Sequence, residues 1–267
     1  MTVLEYQFFV NALIGVLLIS AAAAMIGTYI VTRRLVAISG GITHACFGGL
    51  GLGCFLGINP MIPAGAFAIG SALGVEWLST RHRVREDSAV AVVWAVGMAI
   101  GVVFVFLTPG FVPELNSFLF GNILTISPTD LWIFSGYLLL LAGFFAWKYR
   151  QIVACAFDPD FARVCHLPVR AVNTAMTVAV ALCIVLTIRL VGIMLLMSMI
   201  SLPQLTAEVF GRRFSTMMGL SVIVSVLCCV AGLFLATVID VPCSALIVMV
   251  MVTAFAIARI IRYFTLR

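Results

Sequence analysis

The sequence predicts an all-α, polytopic membrane protein with eight or nine transmembrane helices, and three observations carry that prediction. Only 9% of the 267 residues are charged and 64% are hydrophobic, whereas a soluble domain needs roughly 25% charged residues to cover its surface. The apolar residues fall in runs of about 20, the length that crosses ~30 Å of hydrocarbon. Charge clusters and Pro/Gly turns separate the runs. Eight or nine spans use about 160 to 180 residues, which leaves short loops and no room for a soluble catalytic domain. Residues 1–267 are therefore read as a single transmembrane domain.

The first run, 8–31, carries Glu5 and no Lys or Arg before it, the wrong flank for a cleaved signal peptide, and is read as a retained helix. The second, 35–57, starts after Arg33 and Arg34 and reads LVAISGGITHACFGGLGLGCFLG. Runs 60–78 and 88–108 flank Arg81, Arg83 and Arg85, and run 130–147 ends at Lys148. A polar stretch from Lys148 to Arg170, with Asp158, Pro159 and Asp160, is read as a cytoplasmic helix-loop. Runs 171–187 and 190–208 meet at Ile188-Arg189, the weakest break and the reason for counting eight or nine. Runs 217–238 and 243–264 complete the set.

The basic residues orient these spans. Arg33, Arg34, Arg81, Arg83, Arg85, Lys148, Arg150, Arg163, Arg170, Arg212, Arg213, Arg259, Arg262 and Arg267 fall on alternate loops, and of the fifteen only Arg189 does not. The positive-inside rule then puts the N-terminus outside and the C-terminus in the cytoplasm. The net charge of +5 reflects topology, and nucleic-acid binding is a poor reading of it. Glu5, Glu114, Asp130 and Asp240 lie on the outer side, either as an acidic mouth that favours cations or as ordinary solvated loop residues. Lys148 is the single lysine, so no G-x-x-x-x-G-K-[ST] phosphate loop exists in the chain. The eight cysteines form no C-x-x-C pair, and most belong to apolar runs as small core residues. Cys165-His166 is read as part of a solvated loop, since two adjacent residues cannot close a metal site.

One residue breaks the apolar pattern. His44 lies ten residues into the second run, about 15 Å deep at ~1.5 Å per residue, and an ionisable group at the bilayer midplane points by default to function. Gly40, Gly41, Gly48 and Gly51 share its helical face. Such a stripe admits two readings: tight helix packing, as small-x-x-x-small faces provide, or a pathway lined by Gly40, Thr43, Gly48 and Gly51 beside His44. Neutral imidazole is a common ligand for borderline cations such as Zn2+. No Asp or Glu lies near a span centre, since Glu76 and Glu208 are near ends, which argues against a proton-driven carrier. No Ser-His-Asp, H-E-x-x-H or paired-carboxylate arrangement occurs, so the chain is not read as an enzyme.

The segment GGITHACFGGLGLGCFLGINP resembles the G-D-x-x-[SA]-H-A-x-x-x-G-[VL]-A-x-G segment of the permease subunits of bacterial ATP-binding-cassette (ABC) importers for zinc, manganese or iron. Four more segments agree in order: Glu86-Asp87-Ser88, Phe118 to Leu124, Phe157 to Ala162, and Val191-Gly192 through Pro203 to Ala207. The resemblance covers nearly the whole chain. It implies a single permease domain in the bacterial inner membrane that works by alternating access as a homodimer or a pair of related permeases. It also implies cytoplasmic ATPase subunits, an extracytoplasmic metal-binding protein and no permanently bound cofactor. In the family an aspartate four positions before the histidine shares the cation site; Gly40 stands there in this chain, so only His44 carries over. Losing a hard oxygen ligand weakens Mn2+ more than Zn2+, with Fe2+ a further alternative. The expected ATPase-coupling stretch is Gln204 to Ser215, with Glu208, Arg212 and Arg213.

Overall fold

The computed structural model describes residues 6–82, 84–109, 121, 123–239 and 241–265. Glu5, Arg83, Glu114, Phe118 to Phe120, Asn122, Asp240 and Arg267, all used in the sequence reading, lie outside the described residues. Among the described residues every long element is helical, and eight helices are long and apolar enough to cross a membrane.

The chain divides into two compact units, each assembled from separate stretches of sequence. The first takes the described residues of 1–32, 116–153 and 190–267. Its central helix is α1 (Gln7–Thr32), which buries Ala22, Ala23, Ala24, Ile26, Gly27 and Thr28 in succession. A helix enclosed on most faces needs small residues, and the Ala-Gly run supplies them.

The second unit takes 33–115 and 154–189 within the described residues, and its central helix is α2 (Val36–Leu56). α2 ends where Gly57 adopts φ 65° and its N–H and that of Ile58 turn back to the Cys54 and Gly53 carbonyls, a left-handed stop that glycine reaches without strain. Asn59 and Pro60 then start α3 (Met61–Arg81), with Asn59 Oδ1 accepting from the Met61 amide at 3.0 Å. α4 (Glu86–Leu107) carries Glu86 and Asp87 in its first turn, where carboxylates favour the positive end of the helix dipole.

α5 (Pro128–Phe157) opens on a capping box: Ser127 Oγ accepts from the Asp130 amide at 3.2 Å, and Asp130 Oδ2 accepts from the Ser127 amide at 3.3 Å. Asp130, counted among the outer carboxylates, thus serves to start a helix. The backbone leaves the helical region at Lys148, where the expected span ends, and its ammonium sits 4.2 Å over the Trp147 ring. The expected cytoplasmic helix-loop is the short α6 (Pro159–Val164), capped by Asp158 Oδ1 accepting from the Asp160 and Phe161 amides.

α7 (Val169–Phe210) runs for 42 residues, about 63 Å at ~1.5 Å per residue and twice the hydrocarbon thickness. Gly192, with φ 80° and ψ 172°, interrupts it. The break between the sixth and seventh runs is therefore at Gly192 and not at Ile188-Arg189. Arg189 keeps helical geometry because a charged residue does not by itself stop a helix, whereas φ 80° combined with ψ 172° is a backbone region open essentially to glycine alone. Gly121, at φ 56°, lies against the Val191 carbonyl group, so a Cβ there would collide with it at 2.5 Å. α8 (Phe214–Ile239) and α9 (Cys243–Thr265) follow.

Candidate functional site

Glycine fixes how close α2 comes to its neighbours. A Cβ on Gly97 of α4 would meet Ala45 Cα at 2.5 Å, and one on Gly101 would meet the Phe47 carbonyl oxygen at 2.5 Å. From the other side, a Cβ on Gly48 would meet Phe67 of α3 at 2.6 Å and the Gly97 carbonyl oxygen at 2.9 Å, and one on Gly51 would run into the Gly101 carbonyl. The stripe read either as packing or as pathway is packed in this structure: Gly48 and Gly51 face neighbouring backbone. Gly40 and Thr43 are buried as well, and the Thr43 hydroxyl donates to its own helix at Ser39 O, 2.7 Å away.

His44 differs from every one of these neighbours. From Ser39 to Gly51 it is the one residue of α2 that is not buried. Its imidazole stacks face to face on the Trp94 indole of α4, with centroids 4.5 Å apart and planes 5° from parallel. Stacking engages the ring faces and leaves both nitrogens at the edge, where no described residue forms a hydrogen bond with them. Half-exposed and unbonded, these nitrogens can take a cation or a proton donor. Trp94 was not a candidate from the sequence, because nothing local in 88–108 indicates which residue lies beside position 44. Cys46 does not help: it is buried, with Sγ 3.1 Å from the Ile42 carbonyl of its own helix. Among the described residues no group of three His, Cys, Asp or Glu side chains comes together.

The expected coupling stretch separates into two environments. Gln204 is 1% exposed; Nε2 donates to Ala23 O of α1 at 2.8 Å and to Met199 O at 3.2 Å. Its assignment to a docking surface is corrected accordingly: α7 continues to Phe210, which puts Gln204 about 9 Å inside the helix end. Glu208, Arg212 and Arg213 are exposed. Glu208 and Arg212 line a cavity of about 240 Å³ with Leu205, Val209, Phe255, Arg259 and Arg262. Arg262 reaches toward the Glu208 carbonyl at 3.5 Å, and the Arg259 guanidinium lies 5.6 Å from the Phe255 ring. Three arginines and Glu208 thus surround an apolar floor of Leu205, Val209 and Phe255. The contribution of α9 was not visible in sequence, where Arg259 and Arg262 served only as topology markers.

Comparison with known proteins fits this architecture. Residues 5–262 match the ABC 3 transport family. A protein of Chlamydia pneumoniae named "Probable metal transport system membrane protein" is 36% identical over 238 residues, covering 87% of this chain and 81% of that one. The manganese transport system membrane protein MntC of Halalkalibacterium halodurans is 30% identical over 255 residues, covering 96% and 87%. Among solved structures, PsaBC from Streptococcus pneumoniae in complex with Fab superposes with a TM-score of 0.84 at 25% identity, over 95% of this chain and 91% of that one. With the family's sequence pattern running almost end to end and its fold reproduced, this chain belongs to the ABC 3 transport family as a membrane permease rather than an enzyme.

Proposed function

We propose that this chain is the permease subunit of an importer that carries a divalent transition-metal ion into the cytoplasm by alternating access, with Zn2+ as the cargo. The observation that carries the reading is His44: a half-buried imidazole in the stretch Ser39 to Gly51 of α2 that is otherwise buried, braced on Trp94 with its nitrogens unbonded. Nitrogen without carboxylate at that depth suits zinc better than harder ions. Manganese is the second reading, favoured by the name of the Halalkalibacterium relative.

Energy comes from elsewhere, since the chain has no phosphate loop of its own. Two cytoplasmic ATPase subunits dock on the Glu208, Arg212 and Arg213 surface of a permease homodimer in the bacterial inner membrane, with the N-terminus outside. An extracytoplasmic binding protein delivers the ion. The relatives' names and the fold support this assembly.

The test is uptake of radioactive zinc by cells expressing the complete transporter, with manganese measured in parallel. His44→Ala is expected to lower uptake at least about tenfold, the loss that even an outer partner of a metal ligand produces, at unchanged membrane abundance. Wild-type uptake by that variant removes His44 from the pathway; manganese uptake exceeding zinc at equal concentration overturns the zinc assignment.

A further inference from the structure

Trp94 touches the ring of His44 without competing for its nitrogens. It lies one turn before Gly97 on α4, and a Cβ on Gly97 would meet Ala45 Cα at 2.5 Å. That backbone approach, next to position 44, brings the indole alongside the imidazole with planes 5° from parallel and centroids 4.5 Å apart, at the close end of the range for offset-stacked rings. The chain holds a second Trp-His pair for contrast. Trp77 meets His82 edge-on, at 63°, just past the end of α3. Only at Trp94 does an indole cover an imidazole face.

Coordination and stacking use different parts of the ring. An imidazole nitrogen presents its lone pair in the ring plane, so an ion approaches along the edge while the indole covers a face. The indole nitrogen is a donor only and ligates nothing itself. Other polar groups near His44 on α2 are committed to their own helix: Thr43 Oγ1 donates to Ser39 O and Cys46 Sγ to Ile42 O. Gly40, one turn before His44, has no side chain to offer. Glu76, the one carboxylate of α3, accepts from Thr174 Oγ1 at 2.9 Å. A divalent ion on this imidazole therefore creates a positively charged unit with no acid among these groups to offset it. The tryptophan face is the strongest of the aromatic side chains in attracting a cation, and it acts within about 6 Å of the ring centroid. A flat cationic unit stacks on it as a guanidinium does.

We propose that Trp94 is a positioning and affinity-determining residue for the ion at His44. Its indole holds the imidazole with both nitrogens at the free edge, and its π face offsets the charge of the metal-imidazole unit where no carboxylate does. The proposal rests on the reading of His44 as the cargo site.

The experiment is a Co2+ titration of the purified full chain, with Co2+ as a coloured stand-in for Zn2+. Binding is followed by the ion's ligand-field absorption and by indole emission, with thermal unfolding as the control for folding. Trp94→Leu is expected to raise the absorption midpoint about tenfold, the effect of one cation–π contact in a partly desolvated site. Trp94→Phe keeps an aromatic face and is expected to stay within about threefold of wild type. Co2+ quenches indole emission at contact range, so the saturable quenching is expected to vanish in Trp94→Phe and to persist in Trp77→Phe. A Trp94→Leu midpoint equal to wild type overturns the proposal. Equal losses in the Leu and Phe variants do the same, as do quenching that persists in Trp94→Phe and a wild type without saturable Co2+ binding. Zinc uptake by the complete transporter separates this proposal from the reading beneath it. Normal uptake by His44→Ala removes the cargo site and the role of Trp94 together. Lost uptake by His44→Ala with an unshifted Trp94→Leu midpoint keeps the cargo site and removes only the role of Trp94.

Discussion

In the unit built around α1, side-chain hydrogen bonds tie the central helix to its neighbours, whereas around α2 the backbones themselves come into contact. Ser225 Oγ of α8 donates to Ser20 Oγ at 2.9 Å, Asn11 Nδ2 donates to the Ile126 carbonyl at 3.3 Å, and Gln204 donates to Ala23 O. Among the described residues no side-chain hydrogen bond joins α2, α3 and α4 to one another: those at Ser39, Thr43 and Cys46 stay within α2, and Glu76 of α3 accepts from Thr174 of α7. Glycine contributes to the first unit too, at Gly232 against Ile247, but in the second it recurs on both faces of one contact. Lipid provides no hydrophobic drive between helices, so association rests on close packing or on polar bonds. The two differ in tolerance. A lost hydrogen bond can be partly replaced, while a side chain inserted between two backbones has nowhere to go.

The largest effect is expected from Gly51→Leu. Its side chain must displace the Gly101 backbone, an overpacking of about 3 kcal/mol, seen as loss of the folded fraction or a marked fall in Tm in detergent. A wild-type Tm would end the packing account of this stripe. Gln204→Leu comes next, at about 1 kcal/mol: it removes two donated bonds but also a buried Oε1 that lacks a partner. A cost as large as that of Gly51→Leu would show that the polar unit is no more forgiving than the glycine-packed one. Ser225→Ala is expected to cost least, about 0.6 kcal/mol, measured by the same unfolding series.

The spans were legible because composition and run length decide them, and the end at Lys148 and the cap at Asp158 were legible because both signals are local. The glycine stripe and His44 were visible by helical periodicity, but the stripe's meaning was not, since only its partners Gly97, Gly101 and Phe67 decide between packing and path. Trp94 was missed for the same reason: a contact between positions 44 and 94 is fixed by how two helices meet. At Arg189 charge was taken as a break, and the left-handed residue three positions later was the true one. Gln204 was placed on the coupling stretch although the seventh run already reached 208, because which side of that helix packs on α1 is set by the neighbouring helix and not by local sequence. Arg259 and Arg262 joined Glu208 and Arg212 through the packing of α9, which no spacing rule reports.

The contact between α2 and α4 also constrains motion. Helices that touch through backbone have no side chains to repack between them, so neither can slide or roll past the other without a clash at Ala45, Phe47, Gly97 or Gly101. The pair therefore moves as one block, and a stacked ring from each helix, His44 and Trp94, moves with it. The imidazole therefore keeps the same aromatic wall in any motion of the block, and its exposure changes only through what moves around the pair.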